Sequence, residues 1–384
     1  MTRDGTDRTL ATLVLVLTCN HSVLAGGRVA VSLDALHQGA SAAVVGVLIA
    51  TFGLLPMVCA LHVGRLVDRV GVRRPMIVGS LCVAVGGILP FMLPGLGWLF
   101  VAAPLMGFGF MLFQVALQRT TGDLGAAEQR TANFGMLSLG SSAANFAGPL
   151  VAGLSIDYLG HRAAFGVLAA LTVVPLVVLA SGRLRLPQFT RPAERSETRG
   201  LLDLLRYPKL RRLFIVNAFV SVGWDVHTVF VPIYGTWIGL SGSEIGIVVS
   251  SFALATFVVR FAIRWIVRHA NEQSILATAL LGAAVVYLML PLTHSVLLLA
   301  ILSFVLGLGL GTGQPIVMSL LHTHAPAGRL GEAAGVRISL IQSMAVAVPL
   351  VFGAVGSSLG LLAVFWGAGL CVGAGGIAVR RHRS

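Results

Sequence analysis

Charge is scarce in this chain. Only 11% of its 384 residues are Asp, Glu, Lys or Arg, against roughly 25% in an ordinary soluble domain. Hydrophobic residues reach 56% and mean hydropathy is +0.91, so a bilayer rather than water is the natural solvent. Lysine is nearly absent: Lys209 stands alone, and no glycine-rich phosphate loop precedes it. That excludes a P-loop ATPase within the chain, so pumping must draw on an ion gradient or a partner subunit. Cysteine is limited to Cys19, Cys59, Cys82 and Cys371. All four fall in apolar runs, at spacings that suit neither a disulfide framework nor a metal cluster, and no metal is expected. Room for a soluble catalytic domain is missing too, as is any nucleophile–base pair. The chain is not expected to be an enzyme.

What is present is apolar sequence in blocks. Runs of about 20 residues cross a hydrocarbon core of ~30 Å. Twelve such spans cover 10–32, 42–63, 75–93, 97–118, 133–155, 163–181, 212–234, 244–266, 274–291, 295–318, 335–355 and 360–379. The fold class read from them is an all-α membrane protein, because in lipid only a helix or a closed barrel satisfies its own backbone. With the N-terminus placed in the cytoplasm, all but three of the 27 basic residues fall on cytoplasmic segments; the exceptions are Arg28, Arg162 and Arg260. This is the positive-inside bias. The net charge of +13 therefore orients the chain against anionic headgroups, and no nucleic-acid partner is needed. The first span lacks a small-residue cleavage site and eleven more follow, so it is not a removable signal. The expected protein is a monomer in the inner or plasma membrane, with both termini cytoplasmic.

The spans repeat. Residues 39–165 reappear without a gap 200 positions later. Gly39, Ser41 and Gly46 answer to Gly239, Ser241 and Gly246; Gly107, Gly109 and Gln114 to Gly307, Gly309 and Gln314; Pro149, Gly153, Gly160 and Phe165 to Pro349, Gly353, Gly360 and Phe365. Matches of Gly, Pro and Gln are costly to obtain by chance in so apolar a chain. Two similar bundles related by an axis along the bilayer normal follow, the build of many secondary transporters. The expected organisation is a bundle over 1–182, a cytoplasmic linker over 183–211 and a second bundle over 212–384. Within the linker, 200–207 reads either as a short interfacial helix or as part of a solvated connector.

Between the second and third spans stands Gly64-Arg65-Leu66-Val67-Asp68-Arg69-Val70-Gly71-Val72-Arg73-Arg74. This resembles the signature loop of the major facilitator superfamily, G-x-L-x-D-R-x-G-R-R, and the two-half, twelve-helix plan of that family fits the whole chain. The resemblance implies a conformational latch made by Gly64, Asp68, Arg69, Gly71, Arg73 and Arg74. In it Asp68 would face the positive N-terminus of the eleventh helix near Gly335, with Arg69 and Arg119 as charge partners. The matching loop of the second half is degenerate, since Arg264, Arg268 and His269 replace Gly64, Asp68 and Arg69. The fifth span carries Gly135, Gly148, Pro149 and Gly153, with alanine at 144 and 152. It is similar to the glycine-proline signature of the family's antiporters, which favours export. Ordinary small-residue packing accounts for it equally.

Polar residues inside spans are costly, about +2.5 to +3.5 kcal/mol for a charge at a helix centre, and normally face a cavity. Asp225 is the acidic residue nearest mid-membrane, about nine residues or ~14 Å from the outer end of the seventh span. Burial disfavours a carboxylate's charge, as a proton-coupling group requires. His227 titrates in a useful range but points to the opposite face, with packing as its plainer role. In the first span His21, Arg28 and Ser32 form one stripe. Arg28 is a candidate to bind an anionic group or to pair with Asp225, or it snorkels outward. Arg260 offers the same two choices. Gln114 and Gln314 occupy equivalent sites in the fourth and tenth spans, and Gln342 is similar in the eleventh; each could bond substrate or a neighbouring helix. Trp224 beside Asp225 could line a pocket for an apolar or aromatic solute.

The reading that follows is a secondary active transporter working by alternating access, with a small-molecule substrate and a proton gradient rather than a cofactor. Efflux of small, partly apolar molecules is the first expectation. Import or facilitation of a sugar, organic acid or other anion, anchored by Arg28, is the second. A membrane-embedded sensor on a transporter scaffold is the remote third.

Overall fold

In a computed structural model, residues 3–124, 129–182, 184, 186, 201–269, 271–326 and 329–381 are described. Among them helices dominate and no strand occurs. Every span expected from the apolar runs is helical. In chain order the helices are α1 (Arg3–His37), α2 (Ala42–Val70), α3 (Arg73–Met92), α4 (Leu96–Gly122), α5 (Arg130–Leu159), α6 (His161–Ala170) and α7 (Val173–Ala180). After the linker come α8 (Pro208–Trp237), α9 (Gly242–His269), α10 (Glu272–Met289), α11 (Val296–His324), α12 (Leu330–Leu359) and α13 (Leu361–Arg381). A single 3-10 turn, Leu201–Arg206, lies in the described part of the linker. Arg183, Arg185, Arg191, Arg195, Arg199 and Arg383, which contribute to the charge bias, lie outside the described residues, as do the side chains of Arg264, Arg268 and His269.

Eleven segments among the described residues are long and apolar enough to cross a membrane. The other expected span is α5. It is long enough, but Asn133, Asn145, its serines and its glycines dilute the hydropathy. The sixth span departs from the continuous helix expected over 163–181. It is α6 and α7, joined at Leu171–Thr172 through i→i−3 bonds, Leu171 N to Leu168 O (3.1 Å) and Thr172 N to Ala169 O (3.0 Å). Pro175 is the reason: it has no N–H to give the carbonyl of residue 171.

The repeat is visible as geometry. α1 and α8 end in the same left-handed turn, at Gly39 (φ 84°) and Gly239 (φ 83°). Ala40 N bonds Ala35 O and Leu240 N bonds Gly235 O, both at 2.9 Å. This closure needs positive φ, which glycine supplies without strain. That explains why this glycine pair matches across the 200-residue offset.

The described helices divide into two compact units. The first comprises Met1–Ala40, Thr51–Glu194 and Ser241–Gly246; the second comprises Ser41–Ala50, Arg195–Leu240 and Ile247–Ser384. In the first, Leu13, Val16, Leu17, Met76, Phe113 and Leu117 form part of a fully buried core. Asn20 Nδ2 donates to Ser80 Oγ (2.8 Å) between α1 and α3, and the Arg73 guanidinium closes α7 by donating to Leu179 O at 2.9 and 3.1 Å. In the second, α8 is the central helix. Tyr287 donates to Gly223 O across α10 and α8, and Tyr234 donates to Pro291 O (3.1 Å) and Thr293 O (3.0 Å).

α1 and α5 touch backbone to backbone at Gly148. A Cβ there would sit 2.5 Å from Ser22 O and 2.8 Å from Gly26 N. Gly135, in the same motif, has nothing within 4 Å of its missing Cβ. Gly148→Ala should therefore destabilise the protein by about 1–3 kcal/mol, read as a lower melting temperature in detergent. Gly135→Ala should leave the melt unchanged or raise it, by up to about 1 kcal/mol. Equal effects at the two positions would refute the close-contact account.

Candidate functional site

The candidate polar residues sort onto one face of each unit's leading helix. Along α1, His21, Ala25 and Arg28 are partly exposed while Ser22, Val23, Gly26, Gly27 and Val29 are buried. That is the i, i+4, i+7 spacing of one stripe. His21 tilts against Phe110, with centroids 4.8 Å apart, and the Arg28 guanidinium lies 5.6 Å from the Phe52 centroid, a cation–π placement. Ser32, expected on the stripe, is buried at 1% exposure.

The 200-residue offset carries that stripe onto Ser221, Asp225 and Thr228 of α8. Asp225, Trp224 and Thr228 are partly exposed between buried Gly223, Val226 and His227. Thr228 folds its hydroxyl back onto Trp224 O (3.1 Å), and Trp224 meets Phe252 edge-on at 4.8 Å. His227 points the other way. It is fully buried, stacks on Phe252 at 4.3 Å and shares a 3.0 Å hydrogen bond with Ser303 Oγ. The equivalent stripes thus carry different chemistry. The first presents a histidine and a guanidinium, the second a hydroxyl and a carboxylate.

Gln314 of α11 is engaged. Its Oε1 accepts from Arg337 Nη2, and Arg337 Nε also donates to Asn217 Oδ1 at 3.1 Å. The Asn217 amide nitrogen and the Ser221 hydroxyl, one turn on, are buried without a hydrogen-bond partner among the described residues. The charge bias groups Arg337 with the cytoplasmic segments; in the structure it lies in α12, half-buried and bonded to two other helices. Its position at the edge of an apolar run hid it, and only packing shows what its side chain meets. Gln114, the counterpart of Gln314, has no such arginine: residue 137 is leucine, and the buried Gln114 Oε1 has no hydrogen-bond partner among the described residues. Gln342 and Arg260 are half-buried.

In the signature loop Arg119 Nε lies 3.9 Å from Asp68 and 3.5 Å from Asp123. Arg69, expected beside Asp68, is exposed and makes no ion pair with it among the described residues. It is next to Asp68 in sequence, but on a helix neighbours one apart diverge by about 100°.

A residue that drew no notice in the sequence sits at the far end of α5. The Asp157 carboxylate accepts from Gly242 N and Ser243 N, both at 2.7 Å, and so caps the start of α9. Glu244 Oε2 accepts from Ser241 N (2.8 Å) and Ser241 Oγ from Glu244 N (3.3 Å), a reciprocal capping box. The S-x-x-E spelling of 241–244 is legible in the sequence; the partnership with Asp157 is not. Gly153 meets Gly242 O in the same contact. Burial works against the charge of Asp157, but hydrogen bonds from Ser243, Ser241 and Gly242 outweigh it and hold the carboxyl below the usual carboxylate range. Among the described residues, no group of three His, Cys, Asp or Glu could hold a metal ion.

The model of the Major Facilitator Superfamily matches residues 11–349. The class D tetracycline resistance protein of Salmonella ordonez is 26% identical over 317 residues, 80% of this chain and 78% of the relative. The multi-drug resistance efflux pump PmrA of Streptococcus pneumoniae is 23% identical over 318 residues, with the same coverage of each. Among solved structures, the nucleoside transporter NupG superposes with a TM-score of 0.82 at 12% identity, over 98% of this chain and all of that one (100%). The peptide transporter POT gives 0.80 at 19% identity, over 98% and 94%. At these identities the structures speak to fold alone.

The Asp157 cap has a pH signature. Its folded pKa lies below the ~3.9 of an unfolded Asp, so its contribution is complete above that value and fades as pH falls through the lower, folded one. The group is exposed, so screening limits the effect to about 0.3–1 kcal/mol. Asp157→Asn should melt below wild type at neutral pH, with the gap closing in acid. A gap of constant size across that range would mean that charge is not what holds α9.

Proposed function

The chain belongs to the Major Facilitator Superfamily, and we propose that this membrane transporter exports small, partly apolar molecules in exchange for protons, with Asp225 as the proton-carrying group. The observation that carries this reading is the place of Asp225. It is a carboxyl in the middle of a spanning helix, on the face that corresponds to the His21–Arg28 stripe, and the preceding residue, Trp224, is partly exposed as well. A charge at that depth is costly unless water or a partner meets it. The protonation of Asp225 therefore responds to which side of the membrane wets it. The efflux relatives, matched over four-fifths of the chain, support the outward direction. In alternating access the two bundles expose one site to each side in turn. The helix-5 glycines and the signature loop would then shape the motion, and Asp225 would exchange its proton for cargo. Transport rests on these side chains without a cofactor, in a chain placed with both termini cytoplasmic and acting as a monomer.

The second reading is passage of a sugar, organic acid or other anion. What favours it is the pair of guanidiniums held by neighbours within the spans, Arg28 over Phe52 and Arg337 between Gln314 and Asn217. Either could receive a carboxylate or phosphate in a fork geometry.

Reconstitution separates the two. Asp225→Asn should abolish uptake driven by a pH gradient in proteoliposomes while leaving passive exchange of cargo. Gradient coupling that survives in this variant removes Asp225 from the mechanism. Arg28→Ala and Arg337→Ala should slow neutral and anionic solutes alike under the export reading. A loss confined to anions, about 10-fold or more for a charge-assisted pair, would favour the second reading.

A further inference from the structure

We propose that a basic-rimmed cavity at one end of the second unit binds an anionic phospholipid, taking its acidic headgroup at the rim and the first part of an acyl chain on the floor. The cavity has a volume of about 360 Å³. It lies where the starts of α8 and α10 meet the ends of α11 and α13. Lys209 and Arg212 stand one turn apart at the start of α8, both exposed, and Gln273 and His324 line the same cavity. The His324 Nδ1–H donates to Leu320 O at 2.8 Å, which directs Nε2 to whatever approaches from the other side of the ring.

The rim charge is uncompensated. Among the described residues neither Lys209 nor Arg212 makes an ion pair. The nearby carboxylates are engaged elsewhere: Glu272 accepts from Ser319 Oγ at 2.7 Å, and Asp203 pairs with Arg329 at 3.2 Å. Beneath the rim the wall is apolar, with Leu213 and Leu276 buried and Val379 half-buried. Each half of the cavity excludes a simpler ligand. A soluble anion gains nothing from the apolar floor, and a neutral acyl chain gains nothing from two cations and an imidazole. A molecule with an acidic head on an apolar tail uses both. The charge bias of the chain puts this end at the cytoplasmic leaflet, where anionic lipids gather and each Lys or Arg near the surface contributes about 1 kcal/mol of attraction. The lone lysine of the protein thereby acquires a role that topology alone does not require. The site is independent of which way cargo moves.

The test uses the full chain in phosphatidylcholine nanodiscs with and without phosphatidylglycerol, read by native mass spectrometry and by melting. Phosphatidylglycerol should be retained over phosphatidylcholine and should raise the melting temperature. Lys209→Gln with Arg212→Gln should weaken that retention by about 30-fold, two basic contacts' worth. Val379→Trp, which narrows the floor and keeps the charges, should also weaken it. Arg8→Gln, a basic residue of α1 that does not line the cavity, should not. Soluble glycerol phosphate should fail to displace the lipid. Equal retention of the two lipids, or wild-type retention in the double variant, would overturn the site. Displacement by glycerol phosphate at matched concentration, or retention indifferent to Val379→Trp, would overturn the assignment of the floor to an acyl chain.

Discussion

A backbone in hydrocarbon has no water to bond, and every crossing of this protein answers to that constraint. Each N–H and C=O must find its partner within its own helix. The interior prolines 56, 90, 104, 149, 232, 315 and 349 are carried inside continuous helices. One proline marks a break, Pro175, where the chain resorts to i→i−3 bonds to cross the gap. Helix ends are where the constraint bites hardest, because four donors or acceptors are left over at each. The ends of α1 and α8 are closed by glycine turns, and the start of α9 by a capping box plus a carboxylate from α5.

The same scarcity of partners governs the polar side chains. A chain with 14 acidic residues can place few of them at depth, so each one there has to be tolerated by its surroundings. The second unit does this by grouping. Arg337 is held by Asn217 and Gln314, and His227 is set between Ser303 and Phe252. The stripes of α1 and α8 show how a duplicated scaffold diverges. The closing turns at Gly39 and Gly239 are preserved, because backbone geometry demands them. Positions 21, 25 and 28 exchange histidine, alanine and arginine for serine, aspartate and threonine at 221, 225 and 228. The repeat supplies the frame, and the asymmetry of its polar residues supplies the chemistry.

Hydropathy was enough to read the helical class, and the resemblance of residues 64–74 to a signature loop pointed to the family that the chain belongs to. Each of these is a local or periodic property: run length against bilayer thickness, a turn that only glycine closes, basic residues on one side. For the candidate site, only the positions of rare polar residues and the faces they share were legible. Asp225, Arg28 and Gln314 stood out because polar residues are rare in spans, and the opposite facing of His227 followed from helix rotation.

Partnership was not legible. Arg337 looked like a topological charge, Arg69 like a partner of Asp68, and Asp157 drew no notice. Only the packing of helices distant in the chain showed that Arg337 reaches Gln314 and Asn217, that of the two expected partners it is Arg119 that approaches Asp68, and that Asp157 caps α9. The basic cavity beside Lys209 likewise exists because four helix ends converge there. One-dimensional order determined what must be buried in lipid and where the chain must turn, since those depend on near neighbours and on the solvent. Which polar atom answers which depends on distances between residues far apart in sequence, and those are set only when the helices pack.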